Sequence, residues 1–80
     1  MELLQLRYFL TVGKTLNISK AAREHMIPQP SMSATISRLE KDLGAKLFDR
    51  SKNHLSLTPA GENFFQVVQS ALFTLDQGVE

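Results

Sequence analysis

Residues 19–44, SKAAREHMIPQPSMSATISRLEKDLG, read as a short helix, a tight break holding two prolines, and a second helix. Ser19 stands where an N-cap belongs, ahead of Lys20-Ala21-Ala22-Arg23-Glu24-His25-Met26. Ala21 and Ala22 are small enough for close helix–helix approach. Pro28 disfavours helical geometry at Ile27 and predicts the end of the first helix. Pro30 suits the first turn of the second helix, where a missing N–H costs little. On that helix Met32, Ile36, Leu39 and Leu43 recur at helical spacing, so this stripe faces a core. Pro30, Ser33, Ala34, Ser37 and Lys41 lie opposite, with Arg38 at the edge, and Gly44 is the expected C-cap. The helix opens on Gln29, Pro30, Ser31 and Ser33, side chains that hydrogen-bond or lie close to another surface without bulk. The arrangement suits a helix-turn-helix whose second helix enters the major groove of DNA.

Upstream, Leu3, Leu6, Phe9 and Leu10 predict an amphipathic helix over about residues 3–13. Gly13 marks its expected C-terminal end, with Lys14 complementing the helix dipole. Downstream, Leu47-Phe48 and Leu55-Ser56-Leu57 are short strand candidates around the polar turn DRSKNH at 49–54, a small hairpin. Thr58-Pro59 then gives an N-cap followed by proline at the first helical position. Phe64, Val68, Ala71, Leu72, Leu75 and Val79 continue as an apolar stripe along a last helix of about 20 residues, roughly 30 Å.

The 80 residues leave room for one domain with a modest core. The chain has no cysteine, which excludes a disulfide scaffold and a thiolate metal site, and an apolar content of 42% argues against disorder. No apolar run is long enough to span a membrane, and Met1-Glu2-Leu3-Leu4 does not open a signal peptide. A cytoplasmic protein is expected. The net charge is only +1, but its distribution is uneven. Residues 14–54 carry eight Lys and Arg against four Asp and Glu, whereas residues 55–80 carry no Lys or Arg and three acids. A basic body with an acidic tail suits a polyanion on the body and a different task for the tail. Chance clustering of surface charge is the plainer account.

Three helices, a hairpin and a long exit helix predict a mainly α fold: a winged helix-turn-helix followed by a linker helix. The chain resembles the N-terminal DNA-binding domain of LysR-type transcriptional regulators. The resemblance rests on LRYFLTV in the first helix, ISKAA opening the second, and Gln29-Pro30-Ser31-Met32-Ser33 opening the third. Ile36-x-x-Leu39-Glu40-x-x-Leu43-Gly44, Leu47-Phe48-x-Arg50 and Leu57-Thr58-x-Ala60-Gly61 follow in register. It implies a DNA-binding domain over residues 1–58, with the helix-turn-helix at about 18–42 and the wing at about 47–58. Residues 59–80 are then a linker helix that dimerises, with tetramers in the full-length protein. A small-molecule effector acts through a C-terminal domain absent from these 80 residues. The chain is then a fragment ending in or just beyond the linker. The pattern departs from the family at three places: Pro28 lacks a capping side chain and an N–H able to reach a phosphate, Ala34 lacks a longer polar side chain for a base or phosphate, and Asn53 can hydrogen-bond but lacks the charge of the usual arginine.

On both lines of argument the third helix reads DNA. Gln29 has an amide able to pair bidentately with adenine, and Ser33 can donate or accept at a base edge. Pro30 and Ala34 offer apolar contact, for instance to a thymine methyl. Ser37, Arg38 and Lys41 lie further along and are expected at phosphates, as are Ser19, Lys20 and Arg23 at the start of the second helix. The alternatives are a turn residue at Gln29, a solvated face at Ser33 and Ser37, and local pairing of the cations with nearby acids. Arg50, Lys52, Asn53 and His54 belong to a wing that approaches the minor groove; His54 adds charge only when protonated. His25 is expected to be structural, and the two histidines alone make no zinc site. No cofactor and no catalytic group is expected. The tail stripe either folds back on its own domain or packs on a second copy; an apolar face left in water favours the second. A two-fold dimer would present two reading helices to a pseudo-palindromic duplex. The alternatives are a winged helix of another regulator family, or one that binds protein.

Overall fold

Four helices and one two-stranded sheet make up residues 1–78, the part of the chain that the computed structural model describes. They are α1 (Leu3–Thr15), α2 (Ile18–Glu24), α3 (Gln29–Leu43), β1 (Phe48–Asp49), β2 (Ser56–Leu57) and α4 (Pro59–Gly78). The expected mainly α winged helix-turn-helix with a long final helix is the fold observed.

Helix α1 lies at the centre and packs against the other three helices. Phe9 is fully buried, and its ring meets Phe48, Phe64 and Phe65 at centroid distances of 5.6, 5.3 and 6.3 Å. One aromatic side chain of α1 therefore joins the wing and α4 to the three-helix body. Gly13 does not end the helix as expected. It is buried within α1, where a Cβ would come within 2.6 Å of the Phe65 ring. Its lack of a side chain lets α4 approach. The helix stops instead at Leu16, in the left-handed region with φ 51°, whose N–H returns to the Val12 carbonyl at 2.7 Å.

The cap of α2 also differs from expectation. Asn17, not Ser19, stands at the N-cap, and its Oδ1 accepts the Lys20 N–H at 2.9 Å. Asparagine and serine are comparable caps; the helix starts two residues earlier, with Ile18 packed against the core. Helix α2 ends at Glu24, well before Pro28. The break is made by Met26, 91% exposed with φ 55°, which turns the chain so that the Ile27 N–H reaches the Ala22 carbonyl at 3.0 Å. Pro28 then serves as the N-cap of α3 and carries no capping side chain. Its carbonyl accepts from Ser31 and Met32 at 3.1 and 3.2 Å. His25 closes the turn onto α1: its Nε2 lies 2.8 Å from Thr11 Oγ1, and its ring meets Tyr8 edge-on. This histidine is structural, as expected.

On α3, Met32, Ile36 and Leu39 are fully buried, and Gly44 caps the helix with φ 69°. Leu43 is partly exposed, and Glu40 takes the buried place instead. In the wing, Phe48 pairs with Leu57 and Asp49 with Ser56, antiparallel. Thr58 accepts the Gly61 N–H on Oγ1 at 2.9 Å and donates the same hydroxyl to the Lys46 carbonyl at 2.6 Å, so the cap of α4 also holds the wing.

The tail stripe is divided: for Val68 and Leu72 the favoured reading, packing on a second chain, gives way to the alternative, folding back on the chain's own domain. Val68 and Leu72 are buried in the chain's own core, with Phe64 and Phe65 packed beside them. Helix α1 supplies the apolar surface that this part of α4 covers. The Arg7 guanidinium also bridges to Asp76 at 2.9 Å across α1 and α4, and holds that carboxyl below the usual carboxylate range. Ala71 and Leu75 remain exposed, together with Val67 and Phe73. Val79 lies outside the described residues. Among the described residues no helix is long and apolar enough to cross a membrane.

Candidate nucleic-acid interface

Two short segments set the face of α3. The left-handed turn at Met26 aims the chain, and the prolines at 28 and 30 restrict the backbone on both sides of Gln29. Gln29, Pro30 and Ser31 emerge exposed on the first turn, and Ala34, Ser37, Arg38 and Lys41 continue outward along the helix. Ser33 does not share that outward face as expected; it is half-buried. The side chain sits on the flank of the helix because Ile36 and Met32 turn the buried stripe toward it.

Ser19 lies against the same turn. Its hydroxyl donates to Gln29 Oε1 at 2.9 Å, across ten residues of sequence. The helix-turn-helix therefore brings the openings of both helices together. Lys20 and Arg23 are exposed on α2.

The alternative of local pairing between the cations and nearby acids is not seen among the described residues. Among the described residues the ion pairs within 4.0 Å are Arg7–Asp76 and Lys46–Glu40, the latter at 3.9 Å. Among the described residues Lys20, Arg23, Arg38, Lys41, Arg50 and Lys52 have no carboxylate within that distance. Exposed, unpaired cations are free to neutralise phosphates.

A shallow groove lined by Ser37, Glu40, Lys41, Gly44, Ala45 and Lys46 continues, through the shared Glu40 and Lys46, into one lined by Phe48, Asp49, Arg50, Ser51 and Thr58. The end of α3 and the base of the wing thus form one surface. Arg50, Lys52, Asn53 and His54 are all exposed on the wing. Its loop is shaped by Asp49, whose Oδ1 accepts the Ser51 N–H at 2.8 Å and the Ser51 hydroxyl at 2.6 Å. Those hydrogen bonds, with Lys52 and His54 nearby, hold the Asp49 carboxyl below its ordinary range.

Two residues of this surface escaped the sequence reading. Lys46 joins the helix and the wing as an exposed cation. Glu40 accepts the Leu47 and Phe48 N–H groups on Oε2 at 2.8 and 3.2 Å and is itself 7% exposed. The signal for Glu40 was its place one turn after Ile36, on the buried side of the helix. Among the described residues no group of three or more His, Cys, Asp or Glu side chains is placed to share a metal ion.

Residues 3–62 match the family model for bacterial regulatory helix-turn-helix proteins of the lysR family. The chain is 41% identical over 80 residues to the transcriptional regulator AlsR of Bacillus subtilis, covering 100% of the chain and 26% of that protein. It is 39% identical over 79 residues to BenM of Acinetobacter baylyi, covering 99% of the chain and 26% of that protein. Similar solved structures include the BenM DBD in complex with catB site 1 DNA. That match has a TM-score of 0.94 and 39% identity, and covers 99% of this chain and 88% of that one. Another is Vibrio fischeri DarR in complex with DNA, with a TM-score of 0.91 and 33% identity, covering 99% of this chain and 27% of that one. The chain spans about a quarter of the length of the first relatives it matches.

Proposed function

The chain belongs to the lysR family of bacterial regulatory helix-turn-helix proteins, and we propose that it reads double-stranded DNA as part of a transcriptional regulator. The observation that carries this is the exposed opening turn of α3, Gln29 and Pro30, flanked by cations without carboxylate partners. Solved DNA complexes of similar chains support it. Gln29, Pro30, Ala34 and the flanking Ser33 meet base edges. Lys20, Arg23, Ser37, Arg38 and Lys41 meet phosphates, and Arg50, Lys52, Asn53 and His54 carry the wing to the minor groove or its phosphates. Residues 1–58 form the reading unit and residues 59–80 the linker helix. The protein acts in the cytoplasm and catalyses no reaction.

Binding-site selection from a random duplex pool tests this reading. A defined half-site motif is expected, and Gln29→Ala relaxes it at one base pair at a cost of about 1–3 kcal/mol. Recovery of no motif above the starting pool overturns DNA reading and favours a protein partner for this face.

Reading a pseudo-palindrome requires two copies. The surface for the second copy is the exposed side of α4, where Val67, Ala71 and Leu75 line one shallow groove. Val67 is 62% exposed, so Val67→Asp removes association without disturbing the core. Sedimentation equilibrium is expected to show dimers of the parent and monomers of this variant; an intact variant dimer would move the interface elsewhere. Effector binding and assembly into tetramers belong, in this reading, to the whole regulator.

A further inference from the structure

The hydroxyl of Ser19 has an unusual position for the second residue of a helix. A serine there normally caps or bonds the local backbone. Here Asn17 Oδ1 already accepts the Lys20 N–H, and Ser19 Oγ instead donates to Gln29 Oε1 at 2.9 Å. Ser19 was expected to meet a phosphate; its hydrogen bond is directed at a side chain that faces the bases in the reading above.

Resting on that reading, we propose that Ser19 is a positioning residue that makes Gln29 select adenine over guanine. A glutamine amide presents an acceptor on one side and a donor on the other, and a half-turn about its last torsion exchanges them. Adenine offers the N6 donor and N7 acceptor, whereas guanine offers two acceptors, O6 and N7. An amide free to turn can point its NH2 at either purine. Donation from Ser19 ties Oε1 to the α2 side of the turn and leaves its second lone pair for adenine N6, with Nε2 directed to N7. The backbone is already restricted, because Pro28 precedes and Pro30 follows Gln29. The side chain is thus held before the duplex arrives, and less rotamer freedom is lost on binding.

The test is a double-mutant cycle on the duplex selected from the random pool. Binding of the parent chain, Ser19→Ala, Ser19→Thr, Gln29→Ala and Ser19→Ala/Gln29→Ala is measured on that duplex. The same proteins are measured on duplexes carrying adenine or guanine at the pair that Gln29→Ala relaxes. Ser19→Ala is expected to lower adenine-over-guanine discrimination at that pair by about three- to tenfold. Ser19→Thr, which keeps the hydroxyl, restores it. In the Gln29→Ala background, removal of the Ser19 hydroxyl has no further effect. Equal weakening on all duplexes, additive loss in the double variant, or unchanged discrimination each overturns the proposal and leaves DNA reading intact. A parent chain that selects no duplex overturns the reading above, and the proposal with it. Selection without any pair relaxed by Gln29→Ala removes Gln29 as a reader, and Ser19 as its positioning residue.

Discussion

Replacing Glu40 with alanine is expected to destabilise the chain by about 3–5 kcal/mol, because two hydrogen bonds to a buried carboxylate are lost together. Glu40 Oε2 accepts the N–H groups of Leu47 and Phe48, residues that are themselves 1% and 4% exposed. Water has little access to those two donors once the carboxylate is gone, so they stay unpaired. Lys46 contributes little to the balance. Its ammonium is 3.9 Å from Oε1 on a side chain 82% exposed, where solvent screens the pair. Glu40→Gln keeps a neutral acceptor for both donors and puts its NH2 in the place of Oε1, toward Lys46; with the charge gone, it is expected to lose about half as much. Urea denaturation measures both variants, and hydrogen exchange at Leu47 and Phe48 locates the effect. A loss below about 1 kcal/mol for Glu40→Ala would show that water or a shifted wing replaces the carboxylate. The wing is the part most affected, since its first strand hangs from α3 through this side chain.

Gly61→Ala is expected to cost about 3 kcal/mol, at the upper end of ordinary overpacking. A Cβ at Gly61 would overlap the carbonyl oxygen of Leu47, with the carbonyl carbon at 2.9 Å and Leu57 Cδ2 at 3.1 Å. The obstacle is backbone, and that backbone is fixed, because the same carbonyl accepts the Thr58 N–H at 3.0 Å. Helix α4 would have to withdraw from the wing it closes. Gly78 in the same helix supplies the opposite sign. A Cβ there meets nothing within 4 Å, so Gly78→Ala is expected to be neutral or stabilising by up to about 1 kcal/mol through helix propensity. Thermal unfolding of the two variants side by side separates close approach from propensity. Equal effects of one sign would mean that the contact at Gly61 relaxes freely.

The order and type of elements were legible because periodicity and breakers act locally. The buried stripe of Met32, Ile36 and Leu39, the proline at the start of α3 and the glycine after it are all short-range signals. The errors share one cause. Gly13 looked like a helix end, but it is an accommodation to Phe65, fifty-two residues away in sequence. Ser19 looked like a cap, but Asn17 caps and Ser19 meets Gln29. The tail stripe was expected to pack on a second copy, but Val68 and Leu72 close the chain's own core. Glu40 drew no structural reading of its own, yet the first strand of the wing depends on its acceptor. In each case a local rule gave way to a partner distant in the chain.

By itself the sequence determined the helix-turn-helix, the wing, the long final helix and the basic side of the molecule, because turn chemistry, hydrophobic period and charge are carried by neighbouring residues. The candidate readers Gln29 and Pro30 were also visible there, from their residue types at the start of α3. Tertiary structure alone decided which of those side chains is held and which is spent. It tied Gln29 to Ser19, hung the wing from Glu40, left the cations without partners, and divided the α4 stripe between core and solvent. These depend on distances between residues far apart in the chain, which only the packing of α1 against the other helices fixes.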